Sequence, residues 1–315
     1  MKIIITDSDT ISDGEIGFSA FAKYGTVVRY GYTEPERAAE RIRSADVVLC
    51  NKTPMTRAVL EEATELRYIG LFATGYNNVD LDYARERGIV VTNVPDYATD
   101  GVAQLTFSYL LELYGRLSEY RASVDRGDWK HSATFSYFPY PIAELSGKTM
   151  GIVGYGSIGR RVAAIARAFG MNVLIHTRTV TDGAGETFTD LDTLLRASDV
   201  VSLHCPLNKA SEKVMNAAAF AKMKDSAVFI NTARGGLVDE AALRDALVSG
   251  KLLGAGLDVL CAEPMAEDCP LYGLKNCIIT PHIAWAARET RERLVKTAEE
   301  NLSAFLSGSP IHALC

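Results

Sequence analysis

Two doubly wound, parallel-sheet α/β units are what this sequence predicts, one of them shaped to hold a dinucleotide. Three observations predict it. Short β-branched apolar runs alternate with helix-like stretches, the alternation pauses at one long helix and restarts, and a glycine-rich turn stands at the restart. At 315 residues, with 48% hydrophobic and 23% charged positions, the chain has the length for two domains and the composition of a packed globular protein.

The first strands are expected over residues 2–6, 26–30, 46–50, 68–73 and 89–93, with helices over 34–44 and 80–88 between them. Crossover helices on both faces make such a sheet parallel. Residues 100–126 place Val102, Leu105, Tyr109, Leu110, Leu113 and Leu117 at helical spacing and predict one connecting helix, with Asp100 as its N-cap. Past an aromatic and proline-rich loop over 129–141, strands are expected over 149–153, 172–177, 199–205, 227–232, 254–260 and 277–280. Residues 286–307 read as an amphipathic helix through Leu294, Ala298, Leu302 and Phe305, able to return to the first unit.

Charge and cysteine usage narrow the function. Lys and Arg number 33 against 39 Asp and Glu, a net charge of −6, so nucleic acid and anionic membranes are not expected partners. The apolar run at residues 3–5 is too short for a signal core or a membrane span, and the cytoplasm is the expected location. Cys50, Cys205, Cys261, Cys269, Cys277 and Cys315 form no C-x-x-C pair and have no histidine at ligand spacing. Reduced thiols and no metal are expected.

Gly154-Tyr155-Gly156-Ser157-Ile158-Gly159 follows the strand expected at 149–153 and opens a helix expected over 157–169, with Gly170 as its C-cap. In that setting the first glycine permits a tight turn, the second admits a pyrophosphate to the backbone, and the third lets helix touch strand. Ordinary turns also carry glycines, but the flanking strand and helix favour dinucleotide binding. An acid commonly ends the second strand and bonds the ribose 2′-hydroxyl of NAD. Here that place reads His176-Thr177-Arg178-Thr179. Arg178 with the two threonine hydroxyls suits a 2′-phosphate and favours NADP(H). If Arg178 instead stacks on adenine or faces solvent, NAD(H) remains the cofactor.

Ligands of open α/β sheets bind beyond the carboxyl ends of the strands. Thr74-Gly75, Cys205-Pro206, Thr232-Ala233-Arg234-Gly235, Asp258 and His282 all fall there, and their convergence would create one cleft. Backbone N–H groups around Thr74 and Gly75 could serve an anion, and Arg234 could hold a carboxylate in two parallel hydrogen bonds. Taken singly, Arg234 reads as a surface arginine, His282 as a loop or core histidine, and Glu263 as a solvated acid.

Together they spell a family. Phe72-Ala73-Thr74-Gly75-Tyr76-Asn77-Asn78-Val79-Asp80, the glycine turn, Asn231-Thr232-Ala233-Arg234-Gly235, Gly256-Leu257-Asp258-Val259, Glu263-Pro264 and Pro281-His282-Ile283-Ala284 occur in order along nearly the whole chain. The chain thus resembles the D-isomer-specific 2-hydroxyacid dehydrogenases. Residues 94–104 and 138–145 look most like the glycerate dehydrogenase (hydroxypyruvate reductase) branch. The resemblance implies a flavodoxin-like substrate domain, residues 1–98 plus 287–315, around an inserted Rossmann domain, residues 99–286. It implies Arg234, Glu263 and His282 as the catalytic trio, with His282 donating a proton, Glu263 orienting it and stabilising its charged form, and Arg234 holding the substrate carboxylate. It further implies NAD(P)H held at residues 154–159 and 177–179, with Cys205, Pro206, Thr99, Thr232, Ala233 and Asp258. Lys52, Thr74, Gly75 and Trp285 are the implied substrate contacts, and the implied substrate is a small 2-keto acid, hydroxypyruvate or glyoxylate. A homodimer is implied, with residues 135–140 and the helix beginning near Asp100 as contacts. The rival expectations are a nicotinamide-dependent, corepressor-like binding protein and a phosphoglycerate dehydrogenase without a regulatory domain.

Overall fold

The computed structural model describes residues 1–178, 180 and 186–315. The chain forms two compact units, Met1–Ala98 with Trp285–Cys315, and Thr99–Ala284. The second crossover therefore follows Ala284. Trp285 and Ala286, expected with the nucleotide domain, belong to the first unit, where Trp285 packs against Ile3, Ile5 and their neighbours.

The first unit is built on β1 (Lys2–Ile5), β2 (Thr26–Arg29), β3 (Val47–Cys50), β4 (Tyr68–Leu71) and β5 (Val90–Thr92), all parallel in the order β2-β1-β3-β4-β5. This is the flavodoxin-like order, whose direction of winding reverses between β1 and β3. Short helices α1 (Ala38–Ile42), α2 (Arg57–Glu61) and α3 (Leu81–Glu86) cover one face. Alternation decides which side chains meet them: Ile4, Val48, Ile69 and Val91 pack with Ile42, Leu60 and Ala84.

The second unit opens with α4 (Thr99–Gly115) and α5 (Leu117–Asp125), where the sequence pattern predicts one helix. Arg116 separates them by adopting a left-handed φ of 51°. Apolar spacing continues across such a break, so periodicity cannot reveal it. Because α4 begins at Thr99, Asp100 lies within the first turn rather than at the expected cap, and its carboxylate meets Arg161 Nε at 2.8 Å. Then come β6 (Thr149–Val153), α6 (Ser157–Ala168), β7 (Asn172–His176), α7 (Leu191–Ala197), β8 (Val200–Leu203), α8 (Ala217–Lys222), β9 (Ala227–Asn231), α9 (Glu240–Val248), β10 (Leu252–Leu257) and β11 (Cys277–Ile279). Gly170 closes α6 at φ 75°, as a left-handed C-terminal glycine does.

The six strands are parallel in the order β11-β10-β9-β8-β6-β7. A single parallel bridge from Phe188 to Ile175, on the outer side of β7, stands where the third strand of the Rossmann order belongs. Met150, Ile152, Val200, Val228 and Ile230 face α4 and α6, and Val153, Val201, Leu203, Phe229 and Leu257 face α7, α8 and α9. The chain then returns to the first unit as α10 (Arg288–Leu306). Its Leu294, Val295, Ala298 and Leu302 cover Ile3, Ile5, Val47, Leu49 and Tyr68 on the sheet face opposite α1–α3. Among the described residues, no helix is long and apolar enough to cross a membrane.

Candidate active site

One line of register sets the site of the second unit. His176, Val153, Leu203, Asn231, Leu257 and Ile279 stand side by side across all six strands. Parallel strands all exit on the same side, so the residues immediately beyond this line share one rim. They are Thr177 and Arg178, the glycine turn, His204 to Pro206, Thr232 to Arg234, Asp258 and the segment leading to His282. The winding reverses between β6 and β8, where such sheets take a ligand.

The glycine turn fits a dinucleotide by its sterics. Gly154 has φ 98°, and a Cβ there would lie 2.5 Å from the Cys205 amide nitrogen and 2.6 Å from the His204 carbonyl. A Cβ on Gly159 would lie 2.2 Å from the Gly154 carbonyl oxygen. Those two glycines let strand, turn and helix touch. Gly156 differs: a Cβ there meets nothing within 4 Å, so its bare backbone at the N-cap of α6 faces open space, as an approaching pyrophosphate requires. Tyr155 is anchored sideways by a 2.5 Å hydrogen bond to Glu186 and an edge contact with Phe188. Ser157 and Ile158 begin the helix.

Beside the turn, burial pushes the Cys205 thiol upward, opposed by its own backbone amide and, to a smaller extent, by the Arg178 guanidinium. Thr179 lies outside the described residues. Burial also depresses the His204 imidazole to about 3, so it stays neutral; Nε2 meets Ser202 Oγ at 2.9 Å, and Nδ1 has no hydrogen-bond partner among the described residues. The buried Thr99 hydroxyl likewise has none. Both orphaned atoms are of the kind a polar ligand satisfies.

Glu263 and His282 are brought together. His282 Nδ1 lies 2.8 Å from Glu263 Oε2, while Glu263 Oε1 accepts the Leu260 amide at 3.0 Å. One carboxylate thus fixes both the imidazole and its own loop, leaving Nε2 as the ring's outward nitrogen. Arg234 sits on the neighbouring turn, exposed, with its guanidinium 2.6 Å from the Ala233 carbonyl. The two turns touch: a Cβ on Gly235 would lie 2.0 Å from the Leu260 carbonyl carbon.

Asn231 and Glu240 build this arrangement without having been singled out as site residues, and the expected residues Asp258 and Thr232 support it as well. The Asn231 side chain accepts the Ala233 amide at 3.0 Å and donates to the Arg234 carbonyl at 2.9 Å, fixing the arginine turn. Glu240 accepts the Cys261 amide at 2.7 Å. Asp258, expected beside the nicotinamide, is buried and accepts Thr280 Oγ1 at 2.5 Å and the Ile283 and Ala284 amides at 2.8 Å. Its carbonyl also accepts the His282 amide at 2.9 Å. These bonds hold His282 in the left-handed region, at φ 54°, which is uncommon for a residue with a Cβ. Thr232 is buried and faces Thr106 across 3.4 Å. A signal for Asn231 and Glu240 existed in their places, at a strand end and in the first turn of a helix beside the site.

In the first unit, Arg29, Ile5, Leu49, Gly70 and Thr92 form the corresponding line. Lys52 is exposed in the turn beyond β3, and Thr74 and Gly75 lie beyond β4. Thr74 Oγ1 donates to the Val94 carbonyl at 2.7 Å, and the Asn93 side chain donates to the Thr74 carbonyl at 2.7 Å, so this turn is tied to the end of β5.

The family description "D-isomer specific 2-hydroxyacid dehydrogenase, NAD binding domain" matches residues 107–284. Over an aligned span of 320 residues the chain is 42% identical to a hydroxypyruvate reductase of Blautia hydrogenotrophica, covering 100% of this chain and 99% of that protein. A glycerate dehydrogenase of Methylorubrum extorquens is 41% identical over 278 residues, 88% of this chain and 87% of the other. The solved structure of a D-lactate dehydrogenase from Aquifex aeolicus, complexed with NAD and lactic acid, matches with a TM-score of 0.85 at 30% identity, covering 98% of this chain and 96% of that one.

Proposed function

The chain belongs to the D-isomer-specific 2-hydroxyacid dehydrogenase family, and from that premise we propose that it reduces hydroxypyruvate or glyoxylate to the corresponding 2-hydroxy acid. It is a nicotinamide-dependent oxidoreductase of small hydroxy acids. The observation that carries the chemistry is the register line, which delivers a glycine turn, an arginine turn and a paired imidazole and carboxylate to one rim of one sheet, and the choice of hydroxypyruvate or glyoxylate rests on the relatives.

In this reading the unit Thr99–Ala284 holds the dinucleotide and the discontinuous unit serves the keto acid. Residues 154–159 receive the pyrophosphate, Thr177 and Arg178 the adenosine ribose, Cys205 and Pro206 the linker, and Thr99, Thr232, Ala233 and Asp258 the nicotinamide side. When bound, the cofactor supplies a hydride to the keto carbon. Arg234 holds the substrate carboxylate, and its planar fork orients the carbonyl. His282, with Nδ1 held by Glu263, delivers the proton from Nε2 to the keto oxygen. Lys52, Thr74, Gly75 and Trp285 contact the substrate from the first unit. The exposed aromatic rings of Phe135 and Phe138 support a homodimer contact, and the cytoplasm is the proposed location.

Steady-state rates with a panel of 2-keto acids and both reduced nicotinamides test the proposal. Hydroxypyruvate or glyoxylate should give the highest kcat/KM, and NADPH should outperform NADH because the three positions directly after β7 read Thr-Arg-Thr, with no acid at the place that commonly bonds the ribose 2′-hydroxyl of NAD. A large preference for NADH would overturn the cofactor reading, and turnover of neither acid would overturn the substrate reading. Arg234→Lys should raise KM for the keto acid by roughly tenfold, because a point charge cannot reproduce two parallel hydrogen bonds. Unchanged kinetics would remove Arg234 from carboxylate recognition.

A further inference from the structure

Asp7 carries a carboxylate buried to 1% exposure just past the carboxyl end of β1, and it makes no ion pair among the described residues. Its oxygens accept three consecutive backbone amides from the turn beyond β3: Asn51 at 2.9 Å on Oδ1, and Lys52 at 2.5 Å and Thr53 at 2.8 Å on Oδ2. β1 and β3 are the strands between which the winding of this sheet reverses, so Asp7 spans the place where such a sheet takes its ligand. A buried anion is costly unless several donors converge on it, and here the converging donors are the backbone that carries Lys52. The Thr53 hydroxyl is itself buried without a hydrogen-bond partner among the described residues, so the turn takes its shape from these amides rather than from that side chain. From the other side the Asn78 amide donates to the Thr53 carbonyl at 2.9 Å and to the Asn51 carbonyl at 3.4 Å. The Met55 amide donates to the Asn78 carbonyl at 2.7 Å, which joins the Lys52 turn to the segment following Thr74 and Gly75.

We propose that Asp7 is a positioning residue for substrate recognition: its carboxylate gathers the amides of residues 51–53 so that Lys52 is presented at one fixed place, with Asn78 clamping the same turn. The inference rests on the reading of Lys52 as a substrate contact. An asparagine at position 7 keeps the volume but turns one acceptor oxygen into an N–H donor, so it cannot serve all three amides. Lys52 acts in binding, so its misplacement appears in KM for the keto acid.

The test is a double-mutant cycle on the full-length enzyme with Asp7→Asn, Lys52→Met and the pair, measuring kcat, KM for the keto acid, KM for the nicotinamide and Tm. Asp7→Asn should raise KM for the keto acid roughly tenfold, leave kcat within about twofold and the nicotinamide KM unchanged, and add little once Lys52 is already methionine. Asn78→Ala should move the same KM by about threefold, and it carries the test if Asp7→Asn does not fold. If Lys52→Met raises KM while Asp7→Asn and Asn78→Ala leave it alone, the positioning role is overturned. Equal effects of Asp7→Asn with and without Lys52 overturn it as well, because they mark a change that does not act through Lys52. If Lys52→Met itself leaves KM unchanged, the reading of Lys52 as a substrate contact fails, and the role of Asp7 fails with it.

Discussion

Replacing His282 with alanine should lower kcat by about 10²- to 10⁴-fold, the size of effect that follows loss of a general acid. Glu263 already occupies Nδ1 at 2.8 Å, so a ring held by one nitrogen offers the other to the reacting oxygen. Neither other histidine of this rim is paired with a carboxylate: His176 Nδ1 meets the Thr189 carbonyl at 3.2 Å, and burial keeps the His204 imidazole neutral with its Nε2 at Ser202. The imidazole of His282 is partly exposed, so its removal should leave the core intact. The left-handed backbone complicates alanine, which tolerates φ 54° less well than histidine or asparagine. His282→Asn separates the two effects: it suits the backbone, cannot act as the acid, and should show the same fall in kcat with a smaller loss of Tm. Single-turnover rates with saturating nicotinamide measure the step directly. Near-normal turnover in both variants would remove His282 from proton transfer.

Gly235→Ala should lower kcat/KM by roughly 10²-fold, although position 235 bears no reacting group. The added Cβ would sit 2.0 Å from the carbonyl carbon and oxygen of Leu260 and 2.4 Å from the Cys261 nitrogen, all of it backbone. The arginine turn and the Glu263 loop must then separate, carrying Arg234 away from the Glu263–His282 pair. Overpacking of this kind also costs about 1–3 kcal/mol of stability, so Tm should fall. Gly236→Ala is the control: the nearest atoms to its Cβ would be the side-chain tip of Leu207, at 2.9 Å, which can rotate aside. Wild-type kcat/KM in Gly235→Ala would show that the spacing of the two turns does not limit the reaction.

Much of this architecture was legible because it is written in local chemistry. The apolar runs ending at Ile5, Cys50, Val153 and Asn231 are strands buried over all but their first residue at most, and such runs stand out without an alignment. The glycine turn was legible for a related reason, since only glycine satisfies the close approach of Gly154 and Gly159 to backbone. The arginine, glutamate and histidine were legible as a set through family resemblance, whereas each alone looked ordinary. The structure adds the 2.8 Å pairing of Glu263 with His282. What stayed hidden depends on tertiary geometry. The break at Arg116 leaves no mark on apolar periodicity, and the displaced start of α4 reassigns Asp100 from cap to ion pair. The work of Asp258 could not be read from its position, because its partners Thr280, Ile283 and Ala284 are more than twenty residues away in sequence. A third Rossmann strand reduced to one bridge at Phe188 is likewise below what a pattern of residues can declare.

The return of α10 to the first unit has a consequence for biosynthesis. A nascent chain leaving the ribosome completes Thr99–Ala284 while Ile3, Ile5, Leu49 and Tyr68 still await Leu294, Ala298 and Leu302. The portion made first is therefore finished last, and until translation reaches α10 it exposes an apolar sheet face that chaperones are suited to shield.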